Sequence, residues 1–243
     1  MTKKLIGIVA WSTGDNSFGV TKPYLEYWSQ FGQLSMILPG EEIKKELDLL
    51  VLPGGLDLLS TRYEEVPSFY AGQANPHLEW FDKVMLPQYI EAKIPIFGIC
   101  RGFQSLGVHF GCKMVQHIWW DHGYSSSSRS SEVHKNLNAL LPDNTNIKIS
   151  INSLHHQGIL FNNTLPEVIQ QLVVNGKKVR NKETKELYFV GDNMLEAFKH
   201  QNLPIVAVQW HPEEIYDTFT YNWVNWLLEQ KSIYKQEAEN ILN

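Results

Sequence analysis

Ten residues constrain this chain more than any others: Pro95 to Gln104, reading PIFGICRGFQ. Ile94 to Phe97 is short, apolar and strand-like, whereas Phe103, Leu106 and Phe110 recur at roughly helical spacing. Between these two patterns stand Gly98, Cys100 and Gly102, two residues apart. A buried strand that turns sharply into a helix, with a nucleophile between two glycines, is a nucleophile elbow. The nucleophile occupies a strained turn, so its neighbours two before and two after must be small where strand and helix approach. Its side chain then projects from the carboxyl edge of the sheet, and the helix amino terminus behind it favours a thiolate. The bland alternative is a buried structural cysteine at an ordinary strand–helix junction; the glycines on both sides argue against it.

The rest of the chain gives this elbow a sheet to sit in. Leu5 to Ala10 is an apolar run of strand length, closed by the polar stretch Ser12 to Asn16. Thr21 can cap a helix that has Pro23 in its first turn, Tyr24, Tyr27, Trp28 and Phe31 on its apolar face, and Gly32 at its end. Leu34 to Leu38 predicts a second strand, Glu41 to Leu47 a short helix, and Leu49 to Leu52 a third strand. This alternation predicts an α/β fold: a doubly wound, mostly parallel sheet with flanking helices. Asn75-Pro76 opens a helix with Trp80, Phe81, Val84 and Met85 on one side, kinked or ended by Pro87. Further strands are expected at Met114 to Ile118, Ile147 to Ile151, Val168 to Val174, Tyr188 to Val190, Met194 to Phe198 and Ile205 to Trp210. Trp119 to Ser131 predicts a loop, and the basic stretch Gly176 to Thr184 a hairpin tip. Phe219, Trp223, Trp226 and Leu227 predict a helix packed on the sheet, followed by a tail, Ile233 to Asn243, that is a polar helix or frayed. Neither an internal repeat nor a linker is evident, so residues 1–243 are expected to form one domain.

Composition excludes several function classes. Twenty-six acids against 21 bases give a net charge of −5, and the bases are scattered, which argues against a nucleic-acid groove or a polybasic membrane surface. No run of ~18 apolar residues exists to span a membrane. The first residues, MTKKLIGIVAW, begin like a signal peptide, but the apolar part is short and interrupted, and a strand is expected there. The two cysteines, Cys100 and Cys112, are no disulfide framework in a chain of 243 residues. A free catalytic thiol suits a reducing cytoplasm, the expected location. His155 and His156 would point to opposite faces of an extended segment and make a poor metal pair, and the nine histidines never fall in ligand spacing. No metal and no cofactor is expected. One buried structural histidine beside an exposed one is the plainer reading of that pair.

A thiol nucleophile needs a base, and the base needs an orienter. His211 ends a predicted strand, as a base facing the carboxyl edge of a sheet should, and Glu213 would share its face in extended geometry. Glu214 is the competing orienter and would face away. Pro53-Gly54-Gly55, at the carboxyl end of the third strand, reads either as a plain turn or as a place where backbone N–H groups approach a ligand or a developing oxyanion.

The segments LDLLVLPGGLDL, PIFGICRGFQSL, INSLHHQG and VAVQWHPEE resemble the class I glutamine amidotransferase-like superfamily, and within it the free-standing γ-glutamyl-γ-aminobutyrate hydrolase group. The resemblance implies a flavodoxin-like fold and a cysteine hydrolase of γ-glutamyl amides that works through a γ-glutamyl thioester. It makes Cys100 the nucleophile, His211 the base and Glu213 the orienter. It makes the backbone N–H groups of Gly55 and Arg101 the oxyanion hole, and places Gly54, Gln104, Ser153, His155 and His156 beside a small γ-glutamyl substrate. Where the group carries an arginine–aspartate pair before the elbow, this chain has His77 and Glu79. The competing readings are a glutaminase subunit that feeds ammonia to a separate synthetase partner, a non-catalytic binding module on the same fold, and, distantly, a zinc hydrolase. Whether a synthetase partner or a homodimer exists is left open by the sequence.

Overall fold

The computed structural model describes residues 3–14, 17–118, 134–159, 165–174, 177–180, 187–190 and 194–241. Its strands in chain order are β1 (Leu5–Val9), β2 (Trp11–Gly14), β3 (Ser17–Gly19), β4 (Gln33–Ile37), β5 (Leu49–Leu52), β6 (Ile96–Ile99), β7 (Met114–Val115), β8 (His134–Leu140), β9 (Asn146–Ile151), β10 (Gly158–Ile159), β11 (Ile169–Gln171), β12 (Val173–Val174), β13 (Lys177–Arg180), β14 (Leu187–Val190), β15 (Ala197–His200) and β16 (Ile205–Val208). The helices are α1 (Lys22–Ser29), α2 (Pro76–Val84), α3 (Leu86–Glu91), α4 (Arg101–His109), α5 (Pro212–Ile215) and α6 (Thr218–Ile241).

The central sheet has seven strands in the order β11-β15-β16-β6-β5-β1-β4. Strands β4, β1, β5, β6 and β16 run parallel, and β15 and β11 close one side antiparallel. Parallel strands covered by helices on both faces read as continuous apolar runs, and LLVL in β5 and IVAV in β16 are buried at every position. Alternate residues feed two cores. Ile6, Ile8, Val51, Phe97 and Val208 pack with Trp28 of α1 and Trp223 of α6. Leu50, Leu52, Ile96 and Ala207 pack with Phe81 of α2 and Phe103 of α4. The mostly parallel sheet with flanking helices is therefore present, with the elbow strand β6 between β5 and β16.

Several local expectations are corrected. Residues 41–47 are irregular with a turn at 45–46, and contain no helix. The Lys44 backbone N–H donates to the Tyr89 hydroxyl at 3.2 Å, and its Nζ donates to the Ser35 hydroxyl and the Met36 carbonyl. With donors so committed, a seven-residue segment cannot repay helix nucleation. On α2, Trp80 and Val84 are exposed, and the core face is Leu78 and Phe81 with Met85 following. The stretch 168–174 is split: β11 joins the main sheet, and β12 pairs with β8 in a second sheet that also holds β9. The basic segment 177–180 is itself a strand, β13, paired with β14. The polar closure after β1 is a hairpin of β2 and β3. The expected loop Trp119 to Ser131 lies outside the described residues.

Candidate active site

The elbow forms where β6 meets α4. Cys100 is the residue before α4 and holds φ 49° and ψ −103°, a strained backbone for a residue with a side chain. The turn is fixed from two neighbouring strands: Cys100 N–H donates to the Val208 carbonyl at 2.9 Å, and Gly102 N–H to the Pro53 carbonyl at 3.1 Å. The flanking glycines are required by contact. A Cβ on Gly98 would lie 2.9 Å from the Gly102 carbonyl group, and one on Gly102 would collide with the Leu52 carbonyl oxygen.

His211 lies beyond the end of β16 and immediately before α5. Asn152 grips its backbone from both sides: His211 N–H donates to Asn152 Oδ1 at 2.8 Å, and Asn152 Nδ2 donates to the His211 carbonyl at 3.1 Å. Glu213 Oε1 is 2.7 Å from His211 Nδ1. The pairing expected from the sequence is present, but the reason differs. Glu213 sits in the helix α5, so the contact crosses a helix start; the two residues do not alternate along a strand. With Nδ1 held by Glu213, Nε2 is the ring nitrogen left available to Cys100, which lines the same cavity as His211. Burial works against a charged imidazole here, but the Cys100 sulfur and the Glu213 carboxylate more than offset it, and the His211 pKa is raised to about 10. The imidazole is thereby biased toward its charged form.

Gly54 closes the constellation. A Cβ there would come within 2.8 Å of His211 Cε1 and 3.5 Å of Cys100 Cβ. Its N–H donates to the Tyr24 hydroxyl at 2.8 Å. Burial, followed by the Glu213 charge, pushes the Tyr24 phenol well above its ordinary pKa, which keeps it protonated. Arg101 opens α4, so its backbone N–H has no partner within the helix. Its guanidinium turns away and is buried against α2, with Nη2 donating to Glu79 Oε1 at 2.7 Å and Nη1 to Asp82 Oδ2 at 2.8 Å. Arg62 Nη1 approaches the same two carboxylates at 3.4 and 3.2 Å. The carboxylates of α2 thus balance the buried arginine.

A cavity of about 440 Å³ opens in front of Cys100, walled by Trp11, Tyr24, Gly54, Gly55 and His211 among others. Four residues expected beside a substrate, Gln104, Ser153, His155 and His156, are not among its walls. Gln104 Nε2 donates to the Gln157 carbonyl at 3.0 Å and to Gln209 Oε1 at 3.2 Å. Ser153 is buried, and His155 Nδ1 lies 2.8 Å from the Gln157 carbonyl oxygen. His156 Nε2 bonds Asp57 Oδ1 at 2.8 Å, a bond that raises its pKa against the opposing effect of burial. Leu154, between Ser153 and His155, does reach the cavity. Two contributors were missed from sequence. Tyr24 carried only the signal of an apolar helix face. Asn152 opens the recognisable INSLHHQG segment, but nothing in its type announces a grip on a histidine 59 residues away. Among the described residues, no group of three or more His, Cys, Asp or Glu side chains could hold a metal ion.

A cysteine elbow in a parallel sheet, with a histidine and a glutamate after the adjacent strand, defines a class I glutamine amidotransferase-like protein. The chain belongs to the peptidase C26 family, whose profile matches residues 5–213. It is 29% identical over 202 residues to the glutamine amidotransferase-like protein YvdE of Lactococcus lactis, covering 80% of each chain. It is 31% identical over 126 residues to the carbamoyl phosphate synthase small chain of Aquifex aeolicus, covering 52% of this chain and 26% of that one. Its fold is similar to that of a glutamine amidotransferase of Thermotoga maritima, with a TM-score of 0.53 at 15% identity over 99% of this chain and 86% of that one. Family and relatives together support an enzyme acting on amide bonds.

Proposed function

We propose that this protein is a cysteine-dependent hydrolase of γ-glutamyl amides that works through a γ-glutamyl thioester. The observation that carries the reading is Cys100 and His211 on one cavity large enough for a small molecule, with Glu213 bonded to the imidazole from behind. In this reading the Cys100 thiolate attacks the γ-carbonyl carbon, and the backbone N–H groups of Gly55 and Arg101 receive the developing oxyanion. His211 then gives its proton to the leaving amine as the C–N bond breaks. In the second half, His211 takes a proton from water, the hydroxide attacks the thioester, and the C–S bond breaks to return the thiolate. Glu213 fixes the imidazole tautomer throughout. Gly54 shapes the site, leaving room for both His211 and Cys100. Gln104, Ser153, His155 and His156 support the loops around the cavity in this reading, since the bonds of Gln104, His155 and His156 run to Gln157, Gln209 and Asp57.

A second reading is a glutaminase subunit that supplies ammonia to a separate synthetase. The similarity to a carbamoyl phosphate synthase small chain favours it. The two are separated by kcat/KM for glutamine and several γ-glutamyl amines on the isolated chain. Turnover without a partner is expected. Near-zero rates on every compound, rising by orders of magnitude when a co-purifying synthetase is added, would establish the subunit reading instead.

A further inference from the structure

The cavity in front of Cys100 has largely uncharged walls. Apart from Cys100 and His211 themselves, no side chain among its described walls carries a formal charge. Trp11, Leu56, Leu78 and Leu154 supply apolar surface, and Ser12 and Thr21 supply hydroxyls. The Asn75 side-chain oxygen is already engaged, accepting from the backbone N–H groups of His77 and Leu78 at 3.0 and 3.2 Å. Part of this wall comes from a hairpin. Trp11 and Ser12 arrive on β2, whose hairpin with β3 stands between β1 and α1. Trp11 meets Tyr24 edge-on with ring centroids 5.9 Å apart, and Phe18 on β3 meets His77 of α2 edge-on at 4.9 Å. The hairpin is thus held against α1 through Trp11 and against α2 through Phe18. Leu56, directly after the double glycine, remains 51% exposed, an apolar side chain at the site with little to cover it.

We infer that the amine released by this enzyme is an apolar primary amine, alkyl or arylalkyl, rather than an amino acid or a diamine. The inference rests on the hydrolase reading above. Every candidate substrate carries the same γ-glutamyl group, so recognition of that group cancels when substrates are compared, and selectivity lies in the amine. The α-ammonium and α-carboxylate of the γ-glutamyl group are common to every substrate compared. A carboxylate or a second ammonium on the amine, set against Leu56 and Trp11, would instead exchange part of its water for apolar surface that offers no counter-charge, at a desolvation cost. Methylene groups or a ring would instead remove apolar surface, their own and that of Leu56 and Trp11, from water.

The test is kcat/KM of the purified full chain for glutamine and for the γ-glutamyl amides of n-butylamine, phenethylamine, 4-aminobutyrate and putrescine. The two apolar amides should exceed the two charged ones by at least about tenfold, the ratio that one poorly compensated polar group produces. Leu56→Arg should then raise the 4-aminobutyrate amide relative to n-butylamide, and Leu56→Glu should raise the putrescine amide. A merely structural role for Leu56 would not give opposite responses to opposite charges. Glutamine turnover combined with a preference for either charged amide would overturn this inference and leave the hydrolase reading standing. An apolar preference untouched by either charge at position 56 would overturn the assignment of this cavity to the amine. Turnover of none of the five compounds would overturn the hydrolase reading, and this inference with it. Should both variants lose glutamine turnover, the ranking in the unsubstituted chain decides alone.

Discussion

Cys100 and Cys112 bracket the same helix, α4, and are buried to nearly the same degree, at 6% and 5% exposure. Their chemistry is opposite. Cys100 precedes the amino terminus, where unpaired backbone N–H groups favour negative charge, and has the His211 imidazole as partner. Cys112 follows the carboxyl terminus, its N–H donating to the Gly107 carbonyl at 2.8 Å, in the apolar cluster that includes Ile159 and Leu106. There burial alone pushes its thiol up to about 12. Burial by itself silences a cysteine. Burial beside an imidazole that a carboxylate holds in place prepares one for attack.

The largest expected effect breaks this comparison most directly. Cys100→Ala should lower kcat by at least about 10³-fold, as loss of a covalent nucleophile does in a serine protease triad. It should also abolish covalent labelling by an electrophilic glutamine analogue, read by intact mass, while Cys112→Ala retains both properties. Labelling that persists without Cys100, or moves to Cys112, would erase the distinction between the two sites.

The partners of Cys100 come next. His211→Ala should cost more than Glu213→Gln, and the latter roughly 10²- to 10⁴-fold in kcat, by analogy with triads in which the orienting acid is removed. The pH profile sharpens the point. His211 is raised to about 10, so the ring is charged below that value and loses its proton as pH rises through it. The leaving amine needs that proton, so the alkaline limb of kcat/KM should fall near pH 10 in the parent chain. Because Glu213 is one of the groups raising the imidazole, Glu213→Gln should move the limb to lower pH. A limb that stays in place would show that Glu213 does not set the charge state of the imidazole.

How much of this was legible in the sequence follows from how local each determinant is. The elbow was legible because steric demands at Gly98 and Gly102 restrict residue type at fixed spacing. Strands β5 and β16 were legible because burial on both faces leaves continuous apolar runs. The Cys100, His211 and Glu213 set could be named, but the extended geometry offered for His211 and Glu213 was wrong, because Pro212 starts a helix there. The helix expected at 41–47 is absent because tertiary donors and acceptors, Tyr89 and Ser35, compete for Lys44. The grip of Asn152 on His211 and the wall built by the β2–β3 hairpin depend on contacts between distant segments, which no local pattern encodes. The same holds for Gln104, whose partners Gln157 and Gln209 lie far along the chain and draw it into the structure away from the cavity.

The smallest expected effect concerns Cys112 and tests the other half of the comparison. Its folded-state pKa of about 12 lies above the unfolded value of ~8.5. A raised pKa means that the folded protein keeps a proton which the unfolded chain releases. The stabilisation is therefore fully present below about pH 8.5 and is lost as pH rises toward 12. At pH 7 the parent should exceed Cys112→Ala by roughly 1–2 kcal/mol, from lost apolar contact and the small cavity left behind. Above about pH 9 that gap should narrow, by no more than ~1.4 kcal/mol per pH unit. Urea unfolding of both proteins at several pH values up to about 11 measures it, and Cys100, present in both, cancels in the difference. A gap that stays constant across that range would mean that Cys112 is not held as a neutral thiol, and that burial alone is not what separates it from Cys100.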